Sequence, residues 1–506
     1  MPSPGDGRAV MPGRRSSDPV SRRLTLLLGL ALCCIAQASA ETSVELTLTP
    51  AWKGWSRPGR TTEIDVRMSS DAALRASLEV SAARQSTTAA LELQPGRVTR
   101  LQIAVGSAPA INVRVDSAGA PTLQREVRIA QSESPLLGVG LASDERIQLD
   151  GFHAIALTAE DFARSESAYS SIDALVLDAP TLAALDQKQL AALVGYAASC
   201  GRLVVLGADA RVRRALDGAA GCGHRAMMSA TSTEEARSML GASLATQLPQ
   251  PLAFGNVGAL AQPAHAAWNW VAILLAVYLA AASLALIHSS SLPTLLLVPV
   301  IAVAITLTLM HQVKSTSQLV VWSEGDTGAQ LARYQAVQRF PGNAREHARV
   351  AVPPQLGASV QACDSGQPMH FEVDATGQRV AFAEFDTRLF HQVSLCYSGS
   401  FPMLRTIAVA ARGDGSETAR NAGSRAWPQG SLIVAGQVRE LPALDPGASA
   451  VIGATSAPGK RDEALRTALT RTPADGTAAL WQLDLAGVAG APIDSQGWLL
   501  VSVPPR

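Results

Sequence analysis

The sequence predicts a multidomain membrane protein: an N-terminal antiparallel β-sandwich, an α/β unit with a parallel sheet, a two-helix transmembrane hairpin and a C-terminal, mainly β region. Three observations predict it. At 506 residues the chain is too long for one core. Charged residues are only 17 % against 47 % hydrophobic, where an ordinary soluble domain carries about 25 % charged. And the 76 residues from Ser238 to Val313 contain no Asp, Glu, Lys or Arg. With 42 basic and 42 acidic residues the formal net charge is zero, which argues against a nucleic-acid binder.

Residues 1–40 read as an export signal. Arg8, Arg14, Arg15, Arg22 and Arg23 precede the apolar run Leu24–Ala36, and Ala38-Ser39-Ala40 supplies the small-x-small cleavage pattern. Leu32 before Cys33 argues against a lipoprotein, and Thr25 after Arg22-Arg23 against twin-arginine export.

Residues 41–131 alternate with period two, as in Val44–Leu48, Thr62–Met68, Thr99–Ile103 and Ile111–Val115. Turn residues sit at Pro58-Gly59 and Pro95-Gly96. Short alternating strands with regular turns predict an antiparallel sandwich.

Over 135–262 the period changes. Ile172–Leu177 and Arg202–Leu206 are nearly continuous apolar strands. Between them Leu190, Leu193, Val194 and Ala197 form one helical stripe. Asp186 with Gln189, and Ser232 with Glu235, carry helix-start spacing. Strands alternating with capped helices predict a parallel sheet.

Within 268–310, Trp268–Ile287 and Leu292–Met310 are each long enough to cross a hydrocarbon core of about 30 Å, joined by His288-Ser289-Ser290-Ser291. With an exported N-terminus, the serine turn faces the cytoplasm and both large regions lie outside. Residues 315–506 return to β, with strands expected at Leu319–Trp322, His370–Val373, Arg379–Phe382, Gln392–Leu395, Thr406–Val409, Ser431–Val434, Ala479–Leu483 and Trp498–Val503. A short helix is expected over Asp326–Arg339 and an exposed loop over Ala411–Ala426, containing Arg412-Gly413-Asp414.

The segment Tyr169–Asp178 (YSSIDALVLD), followed by Leu182, Asp186, Gln189, Leu190 and Leu193 and then Ser199–Gly207 (SCGRLVVLG), resembles the central segment of class I glutamine-amidotransferase-like domains. That resemblance implies a flavodoxin-like fold. Placed between a β-sandwich and membrane spans, such a domain resembles a group of bacterial envelope proteins. The family's nucleophilic Cys would follow the strand that Leu203–Leu206 resembles, where a helix N-terminus lowers its pKa. Here the turn reads Gly207-Ala208-Asp209-Ala210, with neither Cys nor Ser. Cys200 stands before the strand, and neither His153 nor His224 has a carboxylate at dyad spacing.

No catalytic, cofactor-binding or metal-ligating set stands out. Cys-x-x-Cys, His-Glu-x-x-His and glycine-rich phosphate loops are all absent from the sequence, and Glu346-His347 between Arg345 and Arg349 reads as a solvated charge run. The mature chain keeps four cysteines, Cys200, Cys222, Cys363 and Cys396, in an oxidising compartment. Of the three connectivities, Cys200–Cys222 with Cys363–Cys396 is the local one; four separate thiols are the alternative. The expectation is a non-catalytic protein of the bacterial inner membrane, its large regions on the periplasmic side as binding or assembly modules. Its partners are the lipid bilayer and an envelope or membrane protein, with no nucleic acid and no cofactor. An exported hydrolase or amidotransferase using Cys200 or Ser199, and an accessory subunit of an envelope transport complex, are the competing expectations.

Overall fold

The computed structural model describes residues 42–143, 147–198, 201–207, 227–245, 252–260, 317–327, 331–340, 346–356, 359–363, 368–374, 379–387, 393–402, 406–412, 414–453, 463–485 and 494–503, with single positions 276, 280 and 283. The expected signal peptide and almost all of the expected hairpin over 268–310 lie outside the described residues.

The first region holds β1 (Val44–Pro50), β2 (Trp55–Ser56), β3 (Thr61–Ser70), β4 (Leu74–Ala82), β5 (Gln85–Leu93), β6 (Thr99–Gly106), β7 (Ala110–Ser117), β8 (Ala120–Arg128) and β9 (Ala130–Gln131). The second holds β10 (Leu136–Gly140), β11 (His153–Ala156), β12 (Ala174–Asp178), α1 (Ala179–Ala184), α2 (Gln187–Ala198), β13 (Arg202–Leu206), β14 (Met227–Ala230), α3 (Thr233–Ala245) and α4 (Phe254–Ala259). The third begins with β15 (Gln318–Asp326), β16 (Leu331–Phe340), β17 (Glu346–Ala351), β18 (Val360–Ala362), β19 (Met369–Val373), β20 (Val380–Thr387) and β21 (Val393–Pro402). It continues with β22 (Ile407–Ala411), β23 (Glu417–Asn421), β24 (Gly430–Val434), β25 (Gln437–Leu441), β26 (Ser449–Ile452), α5 (Glu463–Arg471), β27 (Thr477–Leu483) and β28 (Asp494–Val503).

Sheet β1-β3-β6 packs on a seven-stranded sheet in the order β17-β20-β19-β5-β4-β7-β8. Ile64, Val66 and Met68 of the first meet Leu78, Val80, Ile111 and Val113 of the second in one core. Residues far apart in sequence join here: β19 pairs in parallel with β5, Met369 opposite Gln85 through Glu372 opposite Thr88. The last region also forms an eight-stranded sheet, β18-β21-β16-β15-β28-β27-β24-β25, and a small sheet, β22-β23-β26, which meet over Trp427 and Trp481.

The expected fold class is corrected. The described chain is mostly strand (54 %), and among the described residues no helix is long and apolar enough to cross a membrane. Strands β11-β10-β12-β13-β14 do form a parallel sheet, but not a flavodoxin-like doubly wound unit. Such a unit covers both faces with crossover helices. Here, among the described residues, the connections from β10 to β11 and from β11 to β12 contain only loops and 3₁₀ turns. Trp52, on the loop after β1, fills that layer against Leu136, Phe162, Tyr169 and Leu175.

Two further expectations change. Asp326–Arg339 is not a helix: β16 runs through it, paired with β15 on one side and β21 on the other. Both faces of this central strand are covered, so apolar residues stand on both and the period of two is blurred. The Ala411–Ala426 loop contains β23, with Ala419 and Asn421 buried while its other residues are polar. Asp414 accepts hydrogen bonds from Ser416 N and Oγ and closes a turn at the tip.

Cys363 and Cys396 form a disulfide, Cα atoms 5.1 Å apart. It ties the end of the three-residue edge strand β18 to β21, where Gln361 already stands opposite Cys396. The expected Cys200–Cys222 pair lies outside the described residues. A loop of 33 residues closed by one bridge is worth about 3–4 kcal/mol by chain entropy. Cys363→Ser is therefore expected to lower the urea-unfolding free energy by that amount. A loss below about 1 kcal/mol would show that the bridge does not constrain the unfolded chain.

Candidate binding cleft

The three regions meet in a cleft of two adjoining cavities, about 380 and 490 Å³. Both fall in the usual size range of ligand pockets, roughly 300–1,000 Å³. Thr61, Glu166, Ser359 and Gln361 line both.

Local sequence positions the walls. Asp186 and Gln189 form a reciprocal cap at the start of α2: Gln189 N donates to Asp186 Oδ1 at 2.9 Å and Asp186 N to Gln189 Oε1 at 2.9 Å. Gln189 Nε2 also donates to the carbonyls of Ala159 and Phe162, tying the helix to the preceding turns. At α3, Glu235 N donates to Ser232 Oγ, while the Glu235 carboxylate reaches one residue further, to Thr231 N and Oγ1.

Glu63 of β3 points away from the sandwich core and is 2 % exposed. Its carboxylate accepts the backbone N–H groups of Arg164 and Ser165, at 3.0 and 2.7 Å. Burial pushes its pKa above the ordinary carboxylate value despite those hydrogen bonds. The Arg164 guanidinium turns the other way and donates to Asp186 Oδ2 at 2.8 Å. Glu166 accepts from Ser400 Oγ at 2.9 Å, joining the parallel-sheet unit to β21. It lies so close to α2 that a Cβ at Gly195 would meet its carboxylate at 2.6 Å.

The described residues of the resemblance motif make packing and hydrogen-bond contacts within the fold. Asp173 accepts from Arg57 Nη1 at 2.9 Å and from Leu136 N at 2.8 Å, fixing the start of β10. Tyr169 is buried with its ring edge-on to Trp52 at 4.8 Å between centroids; burial raises its pKa well above the usual phenol value. Gly207 ends β13 at φ 63°, a left-handed turn that suits glycine. Asp209, Ser199, Cys200, Cys222 and His224 lie outside the described residues. His153 stacks on Trp55 with centroids 4.1 Å apart. His347 sits between Glu384 and Asp386 on edge strand β17, and Arg349 pairs with Glu372 and Glu384 over the Phe382 ring.

The wall of the larger cavity contains a buried ionic knot that sequence reading missed. Glu324 accepts from Trp322 Nε1 at 2.9 Å, from Arg471 Nε and Nη2 at 2.7 and 2.8 Å, and from Arg333. Burial works to raise its pKa, but the two guanidiniums outweigh it and hold the carboxyl below its ordinary value. Residues 324, 333 and 471 share no short-range pattern, so no local signal marks them. Among the described residues no group of His, Cys, Asp or Glu is placed to hold a metal ion.

No protein-family model matches the chain, and no curated protein does. Among solved structures it is similar to the yeast delta-COP-I mu-homology domain complexed with a Dsl1 WxWxV peptide, at 6 % identity and a TM-score of 0.17. That match covers 37 % of this chain and 94 % of that one. It is also similar to a bacterial ice-binding adhesin of 1.5 MDa, at 8 % identity and a TM-score of 0.16, over 92 % of this chain and 99 % of that one. Likeness this slight carries no argument about fold or function.

Proposed function

We propose that the chain is a non-catalytic cell-envelope protein of the inner membrane, with its large regions outside the cytoplasm as a binding or assembly module. The observation that carries the reading is the composite cleft. Three regions are locked together by Glu63, Trp52 and Glu166 around one cleft. The turn after β13, where the resembled amidotransferases place a thiolate, offers Ala208 and Asp209 instead. A carboxylate there cannot run a thioester route.

Attachment and location are supported by where the chain leaves and re-enters the described fold. Leu252, Val257 and Leu260 pack in one cluster with Val320, Trp322 and Val337. The described residues on either side of 261–316 therefore share one patch, and so belong to the same compartment. The Cys363–Cys396 bridge fits an oxidising compartment.

Reporter fusions after Leu260 and after Trp322 should both behave as exported, and the full chain should resist alkaline extraction from membranes. A cytoplasmic signal from the second fusion, or release at alkaline pH, overturns the placement. Glutamine hydrolysis by the purified chain that Cys200→Ala abolishes overturns the non-catalytic reading.

A further inference from the structure

Resting on the binding-module reading, we infer that the smaller cavity takes an extended acidic peptide segment of a partner. Two sheet edges, unpaired among the described residues, line the same cavity. Strand β6 ends the sheet β1-β3-β6 and contributes Gln102, Ala104, Val105 and Gly106. Strand β18 ends the eight-stranded sheet and contributes Val360 and Gln361, with Ser359 beside it. In an edge strand every second residue turns its N–H and C=O away from the sheet, a template for one more strand. Consecutive residues from each strand reach the cavity, as an edge does and a sheet face does not.

Charge selects the sign of the guest. Arg164, Lys188 and Arg379 line this cavity, with Glu166 its sole acidic lining residue. Arg164 is engaged by Asp186, and Glu166 accepts from Ser400. Lys188 and Arg379 are exposed, and no carboxylate among the described residues pairs with either. An incoming strand with alternating carboxylates would place them beside these two cations while its backbone pairs with an edge. The disulfide holds β18 in place on the opposite side, so the template is formed before the peptide arrives.

The test uses the full chain in mild detergent and fluorescence anisotropy. The probe is a rhodamine-labelled hexapeptide alternating Glu with Val. It should bind at least tenfold more tightly than its Gln-for-Glu counterpart, and Lys188→Glu with Arg379→Glu should remove that preference. N-methylation of alternate probe residues, which needs no change in the protein, should weaken binding at least tenfold. Equal binding of the Gln peptide overturns the charge selection. An unaffected N-methylated peptide, or competition by free glutarate or inorganic phosphate at the peptide's own concentration, overturns the strand pairing in favour of a small-anion site. A chain whose two fusions are exported but which ignores the probe loses this inference alone; a cytoplasmic second fusion removes the reading beneath it.

Discussion

Trp52→Ala is expected to destabilise the protein by about 3–5 kcal/mol, the range for truncating a buried Trp or Phe. Trp52 is fully buried, edge-on to Phe162 and Tyr169, and its Nε1 donates to the Ala168 carbonyl at 3.0 Å. The substitution opens a cavity at the seam between sandwich and parallel sheet, and it removes the Nε1 hydrogen bond to Ala168, worth a further amount of about 0.5–1.5 kcal/mol. Relaxation would offset part of that sum. The backbone gives no relief, since residues 52 and 53 hold φ near +56° and +52°, a left-handed conformation that costs alanine as it costs tryptophan. Because the side chain bridges two units, the urea transition followed by far-ultraviolet circular dichroism should also broaden or split. A loss under 1 kcal/mol with a single sharp transition would mean that the seam is held elsewhere.

Glu324→Ala should cost a similar amount, about 3–5 kcal/mol, because removing one partner of a buried ion pair strands the other. The Arg333 and Arg471 side chains are only 9 % and 19 % exposed, so water replaces the lost carboxylate poorly. Replacing the carboxylate with glutamine keeps the shape and an acceptor, and should recover part of the loss. The pH dependence follows from the direction of the shift. The folded pKa of Glu324 is depressed, so its contribution is present above the unfolded value, near 4.3, and is lost as pH falls through the folded value. Glu63 acts with the opposite sign. Its folded pKa is raised, so ionising it works against the fold as pH rises from the unfolded value through the folded one. Urea midpoints from pH 7 to pH 3 should fall for the wild type and flatten in Glu324→Gln. Parallel acid limbs in the two proteins would show that the knot is not what acid breaks.

Some of this molecule was legible because the deciding interactions are local. The alternation of Ile111–Val115 reports one buried and one wet face in β7, while Thr62–Met68 also forms a strand, β3, whose polar face is buried as well. The Asp186–Gln189 cap closes within one helical turn, and Cys363 with Cys396 spans a short enough separation to be read as a local pair. The absence of a nucleophile after Leu206 is a plain fact of sequence.

The remaining features needed the tertiary structure, for a common physical reason. Strand pairing uses backbone groups that every residue carries, so nothing in Gln85–Thr88 or Met369–Glu372 names its partner. Strand β16 lost its period because both of its faces are covered, and β23 because its sides are mostly polar. Glu63 and Glu324 look like ordinary carboxylates in the sequence; only packing decides that one is buried against backbone N–H groups and the other between two guanidiniums. The sequence alone determined that this chain is rich in strands, carries a long uncharged run and lacks the nucleophile of the family it resembles. The fold decided which distant segments share a sheet, and so created a cleft whose walls come from three regions, because proximity between residues hundreds of positions apart is set by burial and pairing over the whole chain.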